Sequence, residues 1–369
     1  MHVERFAQAC VPAVQAFNAR LKAGGWDGFG LPEALNDHPD AARSAGGIRK
    51  THFVVVDGGD IRGGFLLQRQ PFWLADHQYD VANYQAPLSE GLTCRRYAHV
   101  AAVMIRNVLR ENSLTFAVGM GSADQPLPRM LRSMGWRIVP IPFLFKLQHP
   151  GRCFAQIRRF RTPTSARVVA TLARITGLGW VGTRLYETWS SGVWRPRGVR
   201  LRAIPLRRWE PWVDEVWLSA RSNCSMVGVR NTTTLEDLYP SHGREIRLCL
   251  EDAGRPIGWA VILDTEMRGD RHFGDLRVGT VVDCLTMRGY EQSAATALAR
   301  VFEERQVDLV ITNQSHDQWI AAFRRAGFLA GPSNYLLATS KAMTELVSHP
   351  DATARIHLTR GDGDGRIHL

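Results

Sequence analysis

The second half of the chain alternates between short apolar runs and amphipathic stretches. The runs at residues 279–285 and 307–311 are rich in β-branched side chains, which predicts two buried strands. In residues 294–304 and 317–326, apolar side chains recur every three or four positions, which predicts a helix after each strand. A last apolar run at residues 335–339 predicts a further strand. The predicted order is therefore strand, helix, strand, helix, strand.

The first half of the chain repeats this order. Residues 101–111 have an amphipathic pattern and precede an apolar run from Leu114 to Val118. A second helical stretch follows and ends at Gly135-Trp136, as the last helix of the second half ends at Gly327-Phe328. We interpret the repeat as an internal duplication. A chance resemblance between two short α/β stretches is the alternative.

The basic residues are concentrated in one segment. The chain has a formal net charge of +11, and residues 151–209 contain thirteen Arg, no Lys and one acid, Glu187. Arg favours bidentate contacts to phosphate or carboxylate groups, and Trp180, Trp189 and Trp194 suit a membrane interface. We predict that this segment docks on an anionic membrane surface or an acidic carrier protein. The alternative is that its Arg side chains pair with acids of the flanking domains.

The length of 369 residues is sufficient for two domains. We predict four segments: an N-terminal α/β domain over 1–148, an Arg-rich linker over 149–199, a C-terminal α/β domain over 200–345 and a tail over 346–369. The tail sequence RGDGDG, with Asp362 and Asp364, resembles the start of a calcium loop but lacks the further ligands. We expect the tail to dock through Ile367 and Leu369 or to stay flexible.

Several classes of protein and site are not supported by the sequence. The six Cys residues form no CxxC pair, which is typical of reduced thiols, and the His residues have no metal-ligand spacing. No motif for sequence-specific nucleic-acid binding accompanies the Arg-rich segment. The sequence also has no secretory signal pattern and no apolar run of about 20 residues. We therefore expect no metal and a cytoplasmic protein, with the inner face of the cytoplasmic membrane as a possible peripheral location.

Several motifs resemble those of the GNAT N-acyltransferase superfamily. In the second half these are Asn313, Ala321-Ala322, Phe323 and Gly327-Phe328. More closely, the chain resembles a group of tandem-GNAT bacterial proteins associated with exopolysaccharide gene clusters, through PLSEG (87–91), GMG and PLPRML (119–131), FGDLRVGTVVDCL (273–285), TNQSHDQW (312–319), GFLAGPSN (327–334) and LTRGDGDGRIHL (358–369). The resemblance implies an α/β (α+β) fold with two tandem GNAT-like domains, each a mixed twisted sheet with helices on both faces.

The resemblance also implies a co-substrate, acetyl-CoA or another acyl-CoA, whose pyrophosphate binds at a helix N-terminus. The matching loop begins at Arg288-Gly289. Glu291 and Ser293 stand where the family prefers Gly or Ala, and an inward-pointing Glu291 carboxylate would repel a pyrophosphate. A capped helix start without a ligand is the alternative. The implied cofactor contacts are Leu285, Arg288, Gly289, Gln292, Ser293 and Asn313.

Acylation of an amine needs a base for the ammonium proton and an acid for the leaving thiolate. The Tyr that serves as the acid in the family is replaced by Phe323, which cannot donate a proton. Tyr335 is the substitute candidate, with strand packing as the alternative. Asp283 is the candidate base, because burial in an apolar strand would raise its pKa, and a pair with an Arg is the alternative.

Two further residues complete the catalytic candidates. His316 is expected to line the cleft while Asp317 caps the helix, and Glu90 is the acid at the comparable place in the first half. Cys284 is expected to be a buried, inert thiol. The catalytic candidates are thus Asp283, Tyr335, His316 and Glu90, and the resemblance implies substrate contacts at Trp319, Asn334, Asn83 and Tyr84.

From these features we predict an N- or O-acyltransferase that acts on an amino sugar or a related glycan precursor in cell-surface polysaccharide biosynthesis. The sugar acceptor rests on the resemblance alone. Two alternatives remain open. One is an aminoacyl transferase of the Fem type, which takes its acyl group from charged tRNA. The other is a non-catalytic GNAT-fold protein that binds or scaffolds a polysaccharide assembly.

Overall fold

The computed structural model divides the chain into two compact units. It describes residues 1–34, 47–156, 199–270, 273–347 and 355–363. Unit 1 comprises Met1–Val139 and Leu336–Ser348, and unit 2 comprises Pro140–Tyr335 and His349–Leu369. The domains predicted from the sequence, 1–148 and 200–345, are continuous, whereas each compact unit takes a segment from the opposite half of the sequence.

Unit 1 is built on a mixed sheet. In spatial order its strands are β1 (His2–Arg5), β2 (Arg49–Asp57), β3 (Asp60–Leu74), β4 (His77–Ser89), β5 (Thr115–Val118), β15 (Leu336–Thr339) and β6 (Arg137–Pro140). Strands β1 to β4 are antiparallel neighbours, β4 and β5 are parallel, and β15 is antiparallel to β5. The helices of this unit are α1 (Val11–Ala23), α2 (Val100–Glu111), α3 (Pro126–Ser133) and α9 (Lys341–Leu346).

The alternation of side chains along β2 places helices on both faces of this sheet. Val54 belongs to the core cluster that contains Phe17 and Leu21 of α1. Its neighbours Phe53 and Val55 belong to the other core cluster, which contains Met104 and other apolar residues of α2. Successive strand residues point to opposite faces, so α1 and α2 cover the two faces of the sheet.

Unit 2 contains a second mixed sheet. In spatial order its strands are β14 (Leu329–Gly331), β7 (Phe143–Leu147), β13 (Leu309–Asn313), β12 (Arg277–Thr286), β11 (Arg255–Glu266), β10 (Ile246–Asp252) and β8 (Arg202–Pro205). Strands β12 and β13 are parallel and the other neighbours are antiparallel. Separately, β9 (Met226–Gly228) and β16 (Ile356–His357) form a parallel pair.

The helices of unit 2 also cover both faces of its sheet. They are α4 (Pro150–Gln156), α5 (Trp212–Arg221), α6 (Thr232–Leu238), α7 (Glu291–Glu304) and α8 (Asp317–Arg325). Val310 of β13 packs in the core cluster that contains Phe302 of α7 and Phe323 of α8. Its neighbour Ile311 packs in another cluster with Cys153 of α4. The predicted strands at 279–285 and 307–311 are thus β12 and β13, and the two predicted helices are α7 and α8.

Strands β4 and β12 occupy equivalent places in the two units. Each has an antiparallel neighbour on one side and a parallel neighbour on the other, and each precedes a helix of the core. The parallel pairing ends at Asn83–Phe116 in unit 1 and at Val281–Thr312 in unit 2, although β4 and β12 continue. Beyond these pairs the strands splay apart. The predicted α/β class, with two similar mixed sheets that carry helices on both faces, is confirmed.

Two parts of the sequence interpretation lie outside the described residues. The first is residues 157–198, which include most of the Arg-rich segment and its three Trp residues. The second is the end of the tail, with Ile367 and Leu369. Across the part of the chain that the structure describes, no helix combines the length and the apolar character needed to cross a membrane.

Candidate functional site

The chain turns sharply between β12 and α7. The main-chain N–H of Met287 donates a hydrogen bond of 2.8 Å to the carbonyl of Ile257, which attaches the turn to β11. Gly289 then adopts a φ of +92°, a conformation that only Gly reaches without strain. The side chain of Arg288 is exposed at this turn. The turn therefore presents Arg288 beside the N-terminus of α7.

The N-terminus of α7 already holds an anionic side chain. The Gly289 N–H lies 3.0 and 3.3 Å from the two carboxylate oxygens of Glu291. Main-chain N–H groups at a helix start lack partners and attract negative charge. The carboxylate of Glu291 thus lies at the turn where the resemblance implies that a pyrophosphate binds. We predicted that Glu291 would repel a pyrophosphate. The position of the Glu291 carboxylate is consistent with this repulsion, which stays a prediction.

A cleft of about 410 Å³ lies between the first turn of α7 and helix α8. It is lined by Gly289, Glu291, Gln292, Asp317, Gln318, Ala321, Ala322 and Arg325. Glu291 also borders a cavity of about 10 Å³, which is room for about one water molecule. That cavity is lined by Ala220, Asn223, Cys224, Leu285, Thr286, Arg288, Glu291, His316 and Trp319. Of the predicted cofactor contacts, Leu285, Arg288, Gly289 and Gln292 border these two spaces, whereas Ser293 and Asn313 do not.

Three polar residues that border the small cavity were not identified as site residues from the sequence. The hydroxyl of Thr286 is buried and has no hydrogen-bond partner among the described residues. Burial raises the pKa of the Cys224 thiol to about 12, so this thiol is not a nucleophile at neutral pH. Asn223 contributes its carbonyl to a hydrogen bond from His316. No local pattern marks these residues, because the fold alone brings the end of α5 next to β12.

His316, and not Asp317 as predicted, caps α8 with its side chain. Its Nδ1 accepts a hydrogen bond of 3.3 Å from the Gln318 N–H, and its Nε2–H donates to the Asn223 carbonyl at 3.3 Å. These two bonds fix the neutral tautomer, and burial lowers the pKa of the imidazole. His316 lines the small cavity and both of its ring nitrogens are engaged, so its predicted place in the cleft stays a prediction. Trp319, a predicted substrate contact, lines the same cavity and packs against Phe323 with ring centroids 6.0 Å apart.

Asp283 lies in a buried network centred on Arg230. Its Oδ2 accepts hydrogen bonds from Arg230 Nε at 2.8 Å and from the Tyr239 hydroxyl at 2.9 Å. Its Oδ1 accepts bonds from Thr359 Oγ1 at 3.1 Å and from the Cys284 N–H at 2.9 Å. Asp283 borders neither the cleft nor the small cavity. This geometry favours the alternative of an ion pair with Arg over the role of a catalytic base, which stays a prediction.

Arg230 holds a second carboxylate, that of Asp362. Arg230 Nη2 lies 2.6 Å from Asp362 Oδ1, and both side chains are at most 2 % exposed. Burial opposes ionisation, but the charges of Asp283 and Asp362 outweigh it and raise the pKa of Arg230. Burial raises the pKa of Asp362, although Arg230 counteracts this. The cluster therefore joins one guanidinium to two carboxylates out of contact with water.

Residues 355–363, here called the C-terminal strap, lie between the diverging ends of β12 and β13. Thr359 forms a β-bridge with Gln314, and the Leu358 carbonyl accepts a bond from the Ser315 N–H beyond the end of β13. On the β12 side, His357 Nε2–H donates to the Cys284 carbonyl at 3.2 Å. Burial lowers the pKa of His357 to about 3, so its ring is neutral at physiological pH. The strap thus occupies the splay of unit 2.

The strap also engages a predicted cofactor residue. Arg360 Nη1 donates to Asn313 Oδ1 at 3.0 Å, and Asn313 Nδ2 donates to the Pro142 carbonyl at 3.3 Å. Asn313 is 2 % exposed, and its amide is committed to these internal bonds. Thr359 and Asp362 form a capping box, a spacing that can be recognised in a sequence. That signal could have indicated an ordered turn in the tail.

In unit 1, the turn that corresponds to the α7 turn is closed by its own contacts. Glu90 follows β4 directly and forms ion pairs with Arg20 at 3.1 Å and with Arg62 at 3.0 Å. Burial raises the pKa of Glu90, but the hydrogen bonds and charges of the two Arg residues outweigh it and lower this pKa overall. A Cβ at Gly91 would lie 2.8 Å from the Tyr97 carbonyl, so the chain packs tightly here. Glu90 as a catalytic base stays a prediction, and its pairing favours a structural role.

The remaining predicted residues do not border the cleft or the small cavity of unit 2. Asn83 and Tyr84 are buried in β4, and Tyr84 packs against Phe65 with ring centroids 5.3 Å apart. Asn334 is exposed, and Tyr335 is 8 % exposed, with its carbonyl accepting a bond from the Ile141 N–H. Their proposed roles as substrate contacts and as the acid stay predictions. The site that the structure assembles therefore lies at α7, α8 and the end of β12.

Solved structures resemble this chain, although sequence comparisons do not find relatives. No protein-family model matches the chain, and no curated protein matches it. A GCN5-related N-acetyltransferase from Anabaena variabilis matches with a TM-score of 0.52 at 12 % identity, covering 91 % of this chain and 72 % of that protein. A probable N-acyltransferase from Enterococcus faecalis matches with a TM-score of 0.51 at 8 % identity, covering 94 % of this chain and 74 % of that protein. With its two equivalent splayed sheets, the chain is a tandem GNAT-fold protein.

Proposed function

We propose that this protein transfers an acyl group from a pantetheine thioester, such as acetyl-CoA or another acyl-CoA, to an amine or a hydroxyl group. The observation that carries the proposal is the cleft of about 410 Å³ between α7 and α8. It opens at the helix N-terminus that follows the splayed strand β12. A site at the ends of diverging strands is where open α/β sheets bind ligands. The two structural neighbours, a GCN5-related N-acetyltransferase and a probable N-acyltransferase, are consistent with this proposal.

The proposed reaction joins the acceptor nitrogen to the carbonyl carbon of the thioester. As this bond forms, the carbon–sulfur bond breaks and its electron pair stays on sulfur. One amine proton reaches the sulfur through solvent, so that the products are an amide and a thiol. In this scheme Arg288 binds the phosphate of the donor. His316, whose two nitrogens are engaged, orients α8 and does not accept the proton.

The proposed acceptor is an amino sugar or a related glycan precursor of cell-surface polysaccharide biosynthesis, and the proposed location is the cytoplasm. This part of the proposal rests on the motif resemblance. Amide and carboxylate side chains, including Gln318 and Asp317, line the cleft. Such groups are typical hydrogen-bond partners for sugar hydroxyls.

Thermal unfolding and thiol release test the proposal together. The full chain is mixed with acetyl-CoA, longer acyl-CoAs and uridine-diphosphate amino sugars, and free thiol is measured during incubation. A donor at a hundredfold excess over its Kd should stabilise the protein by about 2.7 kcal/mol, a rise of several degrees in Tm. Arg288→Glu should abolish the effect of the donor. Arg132→Glu, an exposed charge reversal in unit 1, is the matched control. If no thioester changes Tm and no thiol appears, the proposal is wrong.

One observation favours a second candidate, a non-catalytic GNAT-fold protein that binds a glycan or a scaffold partner. The C-terminal strap occupies the splay between β12 and β13, and Phe323 stands in place of the tyrosine acid. The same assay separates the two candidates. A sugar nucleotide that raises Tm while every thioester stays intact would favour the binding protein.

A further inference from the structure

The lining of the unit 2 cleft contains two carboxylates and one guanidinium, and further Arg side chains lie close to it. Glu291 and Asp317 line the cleft, and Glu291 also borders the small cavity. Exposed Arg side chains surround these spaces. Arg325 lies at the cleft and Arg288 at the small cavity, and the Arg355 carbonyl accepts a hydrogen bond from the N–H of Ser225, the residue after Cys224 of that cavity. Carboxylates outnumber guanidiniums in the cleft lining, whereas a site built for a polyanionic ligand would have an excess of positive charge.

The carboxylate of Glu291 competes with a phosphate for the start of α7. It lies 3.0 Å from the Gly289 N–H, so a bound phosphate would have to displace it or lie beside it. Like charges brought together in a binding site disfavour association. Asp317 adds a second carboxylate on the opposite wall of the cleft. A ligand that places several phosphate charges in this cleft is therefore penalised.

Two kinds of donor carry the same pantetheine thioester but different charges at its far end. Free acyl-CoA ends in a 3′-phosphorylated adenosine diphosphate, which brings several negative charges into the cleft. The prosthetic arm of a carrier protein ends in one phosphodiester, and the remaining acidic groups lie on the surface of the carrier. The second donor places a single phosphate near Arg288 and leaves the two carboxylates of the cleft without further anionic neighbours.

On this basis we propose that the donor is an acyl thioester on the phosphopantetheine arm of an acidic carrier protein, which binds to the Arg border of the cleft. The proposal rests on the proposed acyl transfer at this site. Arg288, Arg325 and Arg355 are exposed, and the described residues provide no ion-pair partner for them. Unpaired exposed Arg side chains match an acidic protein surface.

The deciding experiment compares one acyl group on three donors with the full-length protein. The donors are acyl-CoA, free acyl-phosphopantetheine and an acylated acidic carrier protein, and kcat/KM is measured for each with the same amine acceptor. The carrier should exceed acyl-CoA by about tenfold or more, and its advantage should shrink as salt rises, because salt screens exposed charges. Free acyl-phosphopantetheine should lie between the two, since it lacks both the adenosine phosphates and the protein surface.

Two pairs of variants test the two charge arguments separately. Glu291→Gln should raise kcat/KM for acyl-CoA by about tenfold and for the carrier by a smaller factor, because the carrier arm brings one phosphate instead of several. Glu304→Gln removes an exposed charge from the far end of α7 and should change neither value. Arg325→Glu should lower kcat/KM for the carrier more than for acyl-phosphopantetheine, while the control Arg132→Glu leaves both unchanged.

The possible outcomes are distinct. If acyl-CoA equals or exceeds the carrier and Glu291→Gln does not favour acyl-CoA, the carrier proposal is overturned while acyl transfer stands. If none of the three donors yields product, the proposed function itself fails. If anionic lipid vesicles bind through Arg325 at low salt and the carrier does not, the Arg border is a membrane surface and the carrier proposal is overturned.

Discussion

The buried cluster around Arg230 predicts an asymmetry between two substitutions. Arg230→Met leaves the carboxylates of Asp283 and Asp362 buried beside each other without a cation. Asp362→Ala leaves one guanidinium and one carboxylate, a neutral pair that still has its hydrogen bonds at 2.8 Å from Arg230 and 2.9 Å from Tyr239. The two changes remove opposite ends of the same contact but leave very different charges behind. Their costs should therefore differ.

The expected magnitudes follow from burial. Arg230, Asp283 and Asp362 have side chains at most 2 % exposed, so solvent does not screen them. Removing one member of a buried pair and leaving its charge uncompensated costs about 3–5 kcal/mol, and this applies to Arg230→Met. Asp362→Ala loses the bonds from Arg230 and from the Thr359 N–H and should cost about 1–3 kcal/mol. We therefore predict that Arg230→Met lowers the free energy of unfolding more than Asp362→Ala does.

Urea unfolding followed by far-ultraviolet circular dichroism measures these costs, with Asp124→Ala, an exposed acid, as the control. Trypsin provides a second readout, because cleavage after Arg360 requires the C-terminal strap to detach. Both variants should be cleaved faster there than the control. If Asp362→Ala costs as much as Arg230→Met, or if neither differs from Asp124→Ala, the account of the cluster as one cation shared by two anions is refuted.

Three further predictions concern the strap and the turns. Burial lowers the pKa of His357 to about 3, so below about pH 6.5 the unfolded chain binds a proton that the folded chain does not. The free energy of unfolding of unit 2 should therefore be highest above that pH and decrease towards pH 3. His357→Gln should make this decrease shallower in acid titrations of unfolding. Gly289→Ala should destabilise the protein by about 1–2 kcal/mol through its φ of +92° alone, since nothing lies within 4 Å of the added Cβ, and an unchanged urea midpoint would contradict this. Glu90→Ala should lower the stability measured in urea by about 2 kcal/mol, because it leaves Arg20 without its anion and Arg62 with Asp60 alone; thiol release should stay unchanged, and a loss of that activity would instead support Glu90 as a catalytic residue.

The two units place an acid at the corresponding turn and use it differently. In unit 1, Glu90 pairs with two Arg side chains and the turn is closed. In unit 2, Glu291 bonds to the Gly289 N–H and borders an open cleft. Such a difference is consistent with a duplication after which one copy kept a ligand site and the other became structural.

The sequence by itself determined the types and order of the elements. Period-two and period-3.6 patterns are local, because they depend on which face of one strand or one helix meets the core. For this reason the apolar runs at 279–285 and 307–311 and the helices after them could be located within a few residues of β12, β13, α7 and α8. The turn at Gly289 and the acid at the start of α7 were also recognisable, since both depend on neighbouring residues alone.

Only the tertiary structure decided which distant groups meet. Arg230 and Asp362 are 132 residues apart in sequence, and nothing in the pattern around either one indicates a common buried cluster. Likewise β15 joins the sheet of unit 1 and β7 the sheet of unit 2, because strand pairing is set by where free main-chain edges come together. Asp283 was recognised from the sequence as an unusual acid in an apolar strand. Its hydrogen-bond and ion-pair partners depend on the path of the C-terminal strap, so the sequence did not show that it belongs to a buried cluster. Local sequence specifies the elements, whereas long-range ion pairs and strand edges specify which of them meet.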